Sequence, residues 1–152
     1  MYILEEFEEF DKYRTKVLKY VLYKKRTKYE VKQKFEKDIP EDLLEEIIEN
    51  LEENGYISDI SYIERSVDEF MLLKTLSIKE IKYKLISKGI KSSIIEDYIQ
   101  NNKEDLEQYE VKSAIKIVCK KQKNMDEMEI KNFLIKKGYS QESIYIALNE
   151  RN

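Results

Sequence analysis

The sequence predicts an all-α protein built as a tandem array of three three-helix repeats, and three observations carry that prediction. Pro occurs once and Gly three times in 152 residues, too rarely for a fold with many tight turns. Apolar residues recur at helical spacing along most of the chain. A motif of Glu, a β-branched residue and Lys starts at Glu30, Glu80 and Glu129, and a period near fifty is typical of helical repeats. We expect an elongated array, whose curvature the sequence leaves open.

The first repeat, with an N-terminal extension, is predicted within residues 1–57. Thr27 and Glu30 have the spacing of a capping box at the start of its second helix. Pro40 suits the first turn of its third helix, where a missing N–H costs nothing. The apolar stripe expected on the first helix comprises Phe7, Phe10, Tyr13, Val17, Tyr20 and Val21. The stripe expected on the third helix comprises Leu43, Leu44, Ile47, Ile48 and Leu51.

The second and third repeats are predicted at residues 58–103 and 104–152. Ser77 and Glu80 form a second capping box. Gly89 and Gly138 occupy the same place in the two repeats and are interpreted as turn residues that end the second helices. We expect Ser92 or Ser93, and then Ser140, to cap the third helices.

The junction between the first two repeats is predicted at Leu51–Asp59. Gly55 supplies a left-handed turn after the preceding helix. Ser58 or Asp59 offers a side-chain oxygen to the amides of the next helix. Apolar and aromatic residues are expected to pack this seam, although aromatic residues are also enriched at interfaces. The seam residues are Leu51, Gly55, Tyr56, Ile57, Asp59 and Tyr62.

The composition argues against an enzyme or a metalloprotein. The chain has no His and one Cys, so the commonest general base and a zinc site are missing. The glycines lie too far apart for a phosphate-binding loop, and we expect no metal or cofactor. No apolar run reaches the roughly 18 residues of a membrane span, and the acidic start does not look like a secretory signal. These features predict a cytoplasmic protein that does not bind membranes. Cys119 is expected to be a small buried residue, and most of the twelve tyrosines are expected to lie on apolar stripes, in the core or half-buried.

Charge alternates along the chain with the period of the repeats. Residues 12–37 hold eleven Lys or Arg and two Glu, whereas residues 38–54 hold eight acids and no base. Residues 74–91 hold six Lys and one Glu, and residues 92–110 hold six acids and one Lys. The net charge of −3 therefore hides basic blocks that would suit phosphate contacts.

These motifs together resemble the RecX family of bacterial regulators of the RecA recombinase. The resemblance covers about residues 16–150. It includes the basic capping box that ends in Glu30-Val31 and the signature Gly55-Tyr56-Ile57-x-Asp59. It also includes Lys88-Gly89-Ile90 in the second repeat and Lys137-Gly138-Tyr139 in the third.

The resemblance implies a non-enzymatic protein that binds RecA filaments on single-stranded DNA, and we expect it to be a monomer. Such proteins slow strand exchange, ATP hydrolysis and co-protease action. The basic residues of the repeats are the predicted contacts with DNA or the filament, although a charge run is more often plain surface. They are Lys24, Lys25, Arg26, Lys28, Lys32, Lys82, Lys84, Lys88, Lys91, Lys131, Lys136 and Lys137.

Two other functions stay open on the sequence. A helix-turn-helix reader of duplex DNA would need Arg, Asn or Gln at the start of its recognition helix. The third helices begin instead with Pro40-Glu41-Asp42, Ser92-Ser93 and Ser140-Gln141-Glu142, and the acids would repel DNA. A helical scaffold for other proteins is the remaining alternative.

Overall fold

The chain folds into nine helices within residues 2–150, which are the residues that the computed structural model describes, with side chains from residue 4 onward. No strand occurs in this range, so the predicted all-α class is confirmed. The helices are α1 (Tyr2–Tyr23), α2 (Lys28–Phe35), α3 (Glu41–Glu53), α4 (Asp59–Leu73), α5 (Ile78–Ser87), α6 (Ser92–Asn101), α7 (Lys103–Lys121), α8 (Glu127–Lys137) and α9 (Gln141–Asn149). Three successive triplets are consistent with the predicted repeats.

The chain forms two compact units. Unit 1 contains the residues up to Tyr62 together with Lys88–Ile90, and unit 2 contains Ile63–Ser87 and the chain from Lys91 onward. Among the described helices none combines the length and apolar character that crossing a bilayer requires.

Unit 1 is built on the apolar faces of α1, α2 and α3. Val17, Val31 and Leu51 are fully buried at its centre. Because α2 has only eight residues, it depends on this packing rather than on its own propensity. The predicted stripe of α1 is buried only in part, since Phe7 is 64% exposed whereas Val17 is fully buried.

Unit 2 contains a core between α7, α8 and α9. Its buried residues include Ala114, Val118, Leu134 and Ala147. Cys119, which the sequence placed in the core, is exposed. The prediction was wrong because Ala114 and Val118 define the buried face of α7. Cys119 is one position further along the helix, so its side chain points about 100° away from that of Val118 and faces solvent.

Most of the described tyrosines are buried or half-buried, as predicted. Of the eleven whose side chains are described, Tyr109 and Tyr139 are buried, and four others are half-buried: Tyr13, Tyr20, Tyr62 and Tyr98. Helical spacing identifies a stripe, but a tyrosine at its edge can expose its ring and hydroxyl. Five tyrosines are exposed: Tyr23, Tyr29, Tyr56, Tyr83 and Tyr145.

Local signals set most helix ends. The capping boxes at Thr27 and Ser77 are both present, and a third joins Asp126 to Glu129. Ser140 caps α9 as predicted. The cap predicted for α6 is wrong, because Lys91 takes the N-cap position without a side-chain hydrogen bond and the helix begins at Ser92.

Candidate functional site

The N-terminus of α2 joins a helix cap to a tertiary contact within unit 1. Thr27 is fully buried, and its Oγ1 accepts a hydrogen bond from the Glu30 amide at 3.1 Å. The same hydroxyl donates to the Lys88 carbonyl at 2.7 Å. A hydroxyl can do both because it has one proton and two lone pairs. The cap therefore also holds the Lys88–Ile90 turn against α2.

Gly89 allows that turn to lie directly against a side chain. Its φ is +81°, and a Cβ added there would lie 2.1 Å from Cγ of Tyr29. No other residue would tolerate both the left-handed backbone and this proximity. Gly89 is thus a packing residue as well as the turn residue that the sequence indicated.

Asp59 supplies a second acceptor to α2. Its Oδ1 accepts a hydrogen bond from the Lys28 amide at 2.9 Å, where a carboxylate also interacts favourably with the positive end of the helix dipole. Ser58 accepts from the Ser61 amide at 3.2 Å and caps α4. Of the two predicted caps, Ser58 serves the helix that follows it, and Asp59 serves α2.

Unit 2 repeats this arrangement at the N-terminus of α5. Ser77 Oγ accepts from the Glu80 amide at 3.0 Å and donates to the Lys137 carbonyl at 2.7 Å. Gly138 has φ +94°, and a Cβ there would lie 2.9 Å from Cβ of Lys79. The hydroxyl, the carbonyl and the glycine thus recur in unit 2 about fifty residues after their counterparts in unit 1.

Glu110 takes the place of Asp59 in unit 2, and no motif in the sequence predicted this role. The residue as a whole is 3% exposed. Oε2 accepts from the Ile78 amide at 2.8 Å, and Oε1 accepts from the Ser140 amide at 3.0 Å. One side chain therefore joins α5 to the turn before α9. Glutamate is rarely buried, so its place beside the stripe of α7 was the only signal that could have found it.

Two buried tyrosines complete this polar network. The Tyr109 hydroxyl donates to the Lys74 carbonyl and accepts from the Leu76 amide at 3.0 Å. The Tyr139 and Ser113 hydroxyls are 2.7 Å apart. Burial raises the pKa of both tyrosines, because the phenolate would lose its hydration.

Each of these two contacts brings basic residues from distant parts of the chain together. In unit 1, the Lys88 turn lies against the segment that contains the first basic run. We call the resulting set the first basic cluster: Lys24, Lys25, Arg26, Lys28 and Lys88. In unit 2, the Lys137 turn lies against the start of α5, which defines the second basic cluster: Lys74, Lys79, Lys136 and Lys137. Lys74 and Lys79 are not among the contact residues predicted from the sequence.

Some predicted contact residues already have structural partners. The Arg26 guanidinium lies 4.2 Å from the Tyr20 ring centroid. Lys28 Nζ lies 3.3 Å from a carboxylate oxygen of Glu52, and Lys137 Nζ lies 3.2 Å from one of Glu80. Two others are held within unit 2: Lys82 pairs with Glu96, and Lys84 lies over the Phe70 ring.

The remaining predicted contact residues have no ion pair with any residue that the structure describes. Lys24, Lys25 and Lys88 are exposed in the first basic cluster, and Lys136 is exposed in the second. Lys32, Lys91 and Lys131 belong to neither cluster. Lys32 is half-buried, and the other two are exposed. These unpaired ammonium groups are the ones most available to a phosphate.

The seam residues divide between core and surface. Leu51 and Ile57 are buried, whereas Tyr56 is 47% exposed. Gly55 has φ +78° and ends α3 as predicted. Tyr62 is half-buried. The packing expected of the seam is thus carried by Leu51 and Ile57, while Tyr56 is only partly covered.

The described residues contain no group of three or more His, Cys, Asp or Glu that could hold a metal ion. The exposed lysines beside the two helix caps can bind an anionic surface.

No family model matches the chain. It is 28% identical over 152 residues to regulatory protein RecX of Streptococcus mutans and 32% identical over 156 residues to that of Staphylococcus carnosus. These matches cover 97% and 95% of the chain. The chain spans 58% and 57% of the length of these relatives.

Two solved structures share the fold. The crystal structure of RecX from Lactobacillus salivarius is 28% identical, with a TM-score of 0.81 over 95% of this chain and 97% of that chain. A crystal structure of a regulatory protein RecX has a TM-score of 0.82 over 97% of this chain and 75% of that one. At 22% identity, the second shows likeness of fold alone. Similarity of sequence along nearly the whole chain and similarity of fold confirm the resemblance that the motifs indicate: the chain is a homologue of the RecX regulatory proteins.

Proposed function

We propose that the chain is a non-enzymatic regulator that binds a RecA-type recombinase filament on single-stranded DNA and restrains it. Its relatives are named regulatory protein RecX. The observation that carries the proposal is that exposed lysines without an ion pair to any described residue lie beside a helix cap in both units, namely Lys24, Lys25 and Lys88 beside Thr27, and Lys74, Lys79 and Lys136 beside Ser77.

The lysine side chains, rather than the helix N-termini, would contact phosphate. An open helix N-terminus can bind an anion through its free amides. Here the α2 amides of Lys28 and Glu30 are already bonded to Asp59 and Thr27. The exposed ammonium groups of Lys24, Lys25 and Lys88 have no such competition, so each could neutralise a phosphate despite the net charge of −3.

Restraint of the filament would slow strand exchange, ATP hydrolysis and co-protease action. A protein that binds the active filament in one state disfavours the changes of state that turnover requires. We expect it to act in the cytoplasm as a monomer, without a cofactor and without membrane binding.

The test is ATP hydrolysis by RecA on single-stranded DNA, measured with increasing amounts of the purified chain. We expect hydrolysis to slow and the chain to sediment with the filament. The variant Lys24→Glu/Lys25→Glu/Lys88→Glu should weaken filament binding by about tenfold or more at low salt, because three repelling charges replace three attracting ones. Arg26 is left intact because its guanidinium packs on Tyr20.

A matched control carries the same charge change elsewhere. Lys103, Lys120 and Lys123 are exposed and lie outside both basic clusters, so their triple reversal to Glu should weaken binding much less. Equal weakening by the two variants would mean that only total charge matters. The proposal would be refuted if hydrolysis did not slow and the chain did not sediment with the filament. Tight sequence-specific binding to bare duplex would favour the DNA-reader alternative.

A further inference from the structure

A second surface lies in unit 2, where a groove runs along α7 between α5, α6 and α9. Its volume is about 860 Å³, within the range of sites that hold several side chains of a ligand. The lining of α7 extends from Glu104 to Ile115, a length of about 17 Å at 1.5 Å per residue. That length matches about three turns of a helix laid along the groove.

The floor of the groove is aliphatic and open to solvent. Ile99, Val111, Ile115 and Ile146 line it, and all four are half-buried. They come from three different helices, so together they form one apolar strip rather than isolated surface residues. An apolar strip of this kind suits the buried face of an amphipathic helix.

The rim of the groove is acidic, and most of its glutamates have no ion pair with a described residue. Six glutamates and three lysines line it. Of the glutamates, Glu96 is paired with Lys82 and Glu110 with two backbone amides. The other four have no ion pair with any residue in the described part of the chain, and they are Glu104, Glu107, Glu142 and Glu150.

We propose that this groove docks a basic amphipathic helix of a partner protein. The apolar face would cover the isoleucines and Val111, and flanking Lys or Arg side chains would reach the unpaired glutamates. Nucleic acid is the wrong occupant, because its phosphates would face a carboxylate rim. Of the three lysines that line the groove, Lys79 alone belongs to a basic cluster.

The experiment uses a fluorescent synthetic peptide of about 14 residues, with Leu at positions i, i+3, i+4 and i+7 and Lys on the flanks. Fluorescence anisotropy with the full chain should show saturable binding. Two control peptides separate the contributions. One replaces Lys by Glu, and the other has the same composition in an order that breaks the apolar stripe. We expect neither control to bind comparably.

Matched variants of the chain then locate the peptide. Glu104→Lys/Glu107→Lys should weaken binding by about tenfold, the ratio that corresponds to about 1.4 kcal/mol. Glu45→Lys/Glu49→Lys carries the same charge change on exposed residues of α3 in unit 1 and should weaken it by no more than about twofold, the small effect of screened charges. Ile99→Ser tests the floor and should also weaken binding, with helicity measured by circular dichroism as the check on folding.

Three outcomes would overturn the proposal. They are no binding of the Lys peptide, equal weakening by the two charge-reversal variants, and equally tight binding of the peptide without an apolar stripe. Self-association of the chain that Glu104→Lys/Glu107→Lys abolishes would assign the groove to a second copy instead. No recombinase is present in the assay, so its result does not depend on the proposed function.

Discussion

Units 1 and 2 contain the same contact between a helix cap and a lysine–glycine turn, but more hydrogen bonds support it in unit 2. In both, a buried hydroxyl caps a helix and donates to the carbonyl of a lysine that precedes a glycine. Unit 1 adds Asp59, a half-buried carboxylate that bonds one amide. Unit 2 adds Glu110, a buried carboxylate that bonds two amides, and the neighbouring Tyr109 hydroxyl. The shared hydroxyl and glycine set the geometry of the contact, while the acid determines how much the contact contributes to stability.

The largest expected effect is the loss of Glu110. Glu110→Ala should lower the free energy of unfolding by about 4 kcal/mol, because two part-buried amides lose a charged acceptor and each such hydrogen bond contributes about 1.5–3 kcal/mol. Asp59→Ala should cost about 1 kcal/mol, the usual effect of a partly exposed cap. Urea unfolding followed by circular dichroism measures both.

Glu107→Ala, an exposed position on the same helix, is the control and should change stability by less than about 0.5 kcal/mol. Equal losses at Glu110 and Asp59 would remove the distinction between the two units.

The next effect distinguishes the glycines. Gly55→Ala meets no atom within 4 Å and should cost about 1 kcal/mol for the left-handed backbone alone. Gly89→Ala should cost about 3 kcal/mol, because the new methyl would also displace the Tyr29 ring. Gly138→Ala should lie between them, since Cβ of Lys79 would be 2.9 Å away. A Gly89 variant no less stable than the Gly55 variant would show that Tyr29 moves aside freely.

The smallest effect appears only at alkaline pH and belongs to unit 2. Burial raises the pKa of Tyr109 and Tyr139 above the usual 10.0, so the folded chain holds these protons more tightly than the unfolded chain. Their contribution is fully present below pH 10 and is lost as the pH rises from there through the raised pKa. Unfolding midpoints measured from about pH 8 to 11 should therefore fall above pH 10. Tyr139→Phe should make the fall shallower, and an unchanged slope would contradict this assignment.

Local sequence signals predicted much of the fold because they act over a few residues. A capping box needs Thr27 and Glu30 at the same helix end, and a left-handed turn needs Gly138 in one place. Both are visible in the order of residues. The errors at Cys119, on a helix, and Tyr56, in the junction between α3 and α4, arose because the direction of each side chain depends on neighbours distant in sequence.

The candidate sites could be predicted only in part for the same reason. The basic runs were evident, but charge alone does not show that Arg26 packs on Tyr20 or that Lys28 pairs with Glu52. The groove along α7 was not predicted at all. Its floor joins Ile99, Val111 and Ile146, which lie on three helices, and no short stretch of sequence contains that combination.

The sequence by itself determined the helical class, the caps, the glycine turns and the period of about fifty residues, since each follows from propensity and spacing along the chain. Tertiary structure alone decided which distant residues the caps and turns contact. As caps, the Thr27 and Ser77 hydroxyls act only as hydrogen-bond acceptors. In the folded chain each also donates its proton, to the carbonyl of Lys88 or of Lys137. A residue's local role fits within one turn of helix, whereas its second partner, about sixty residues away, is set by how the helices pack.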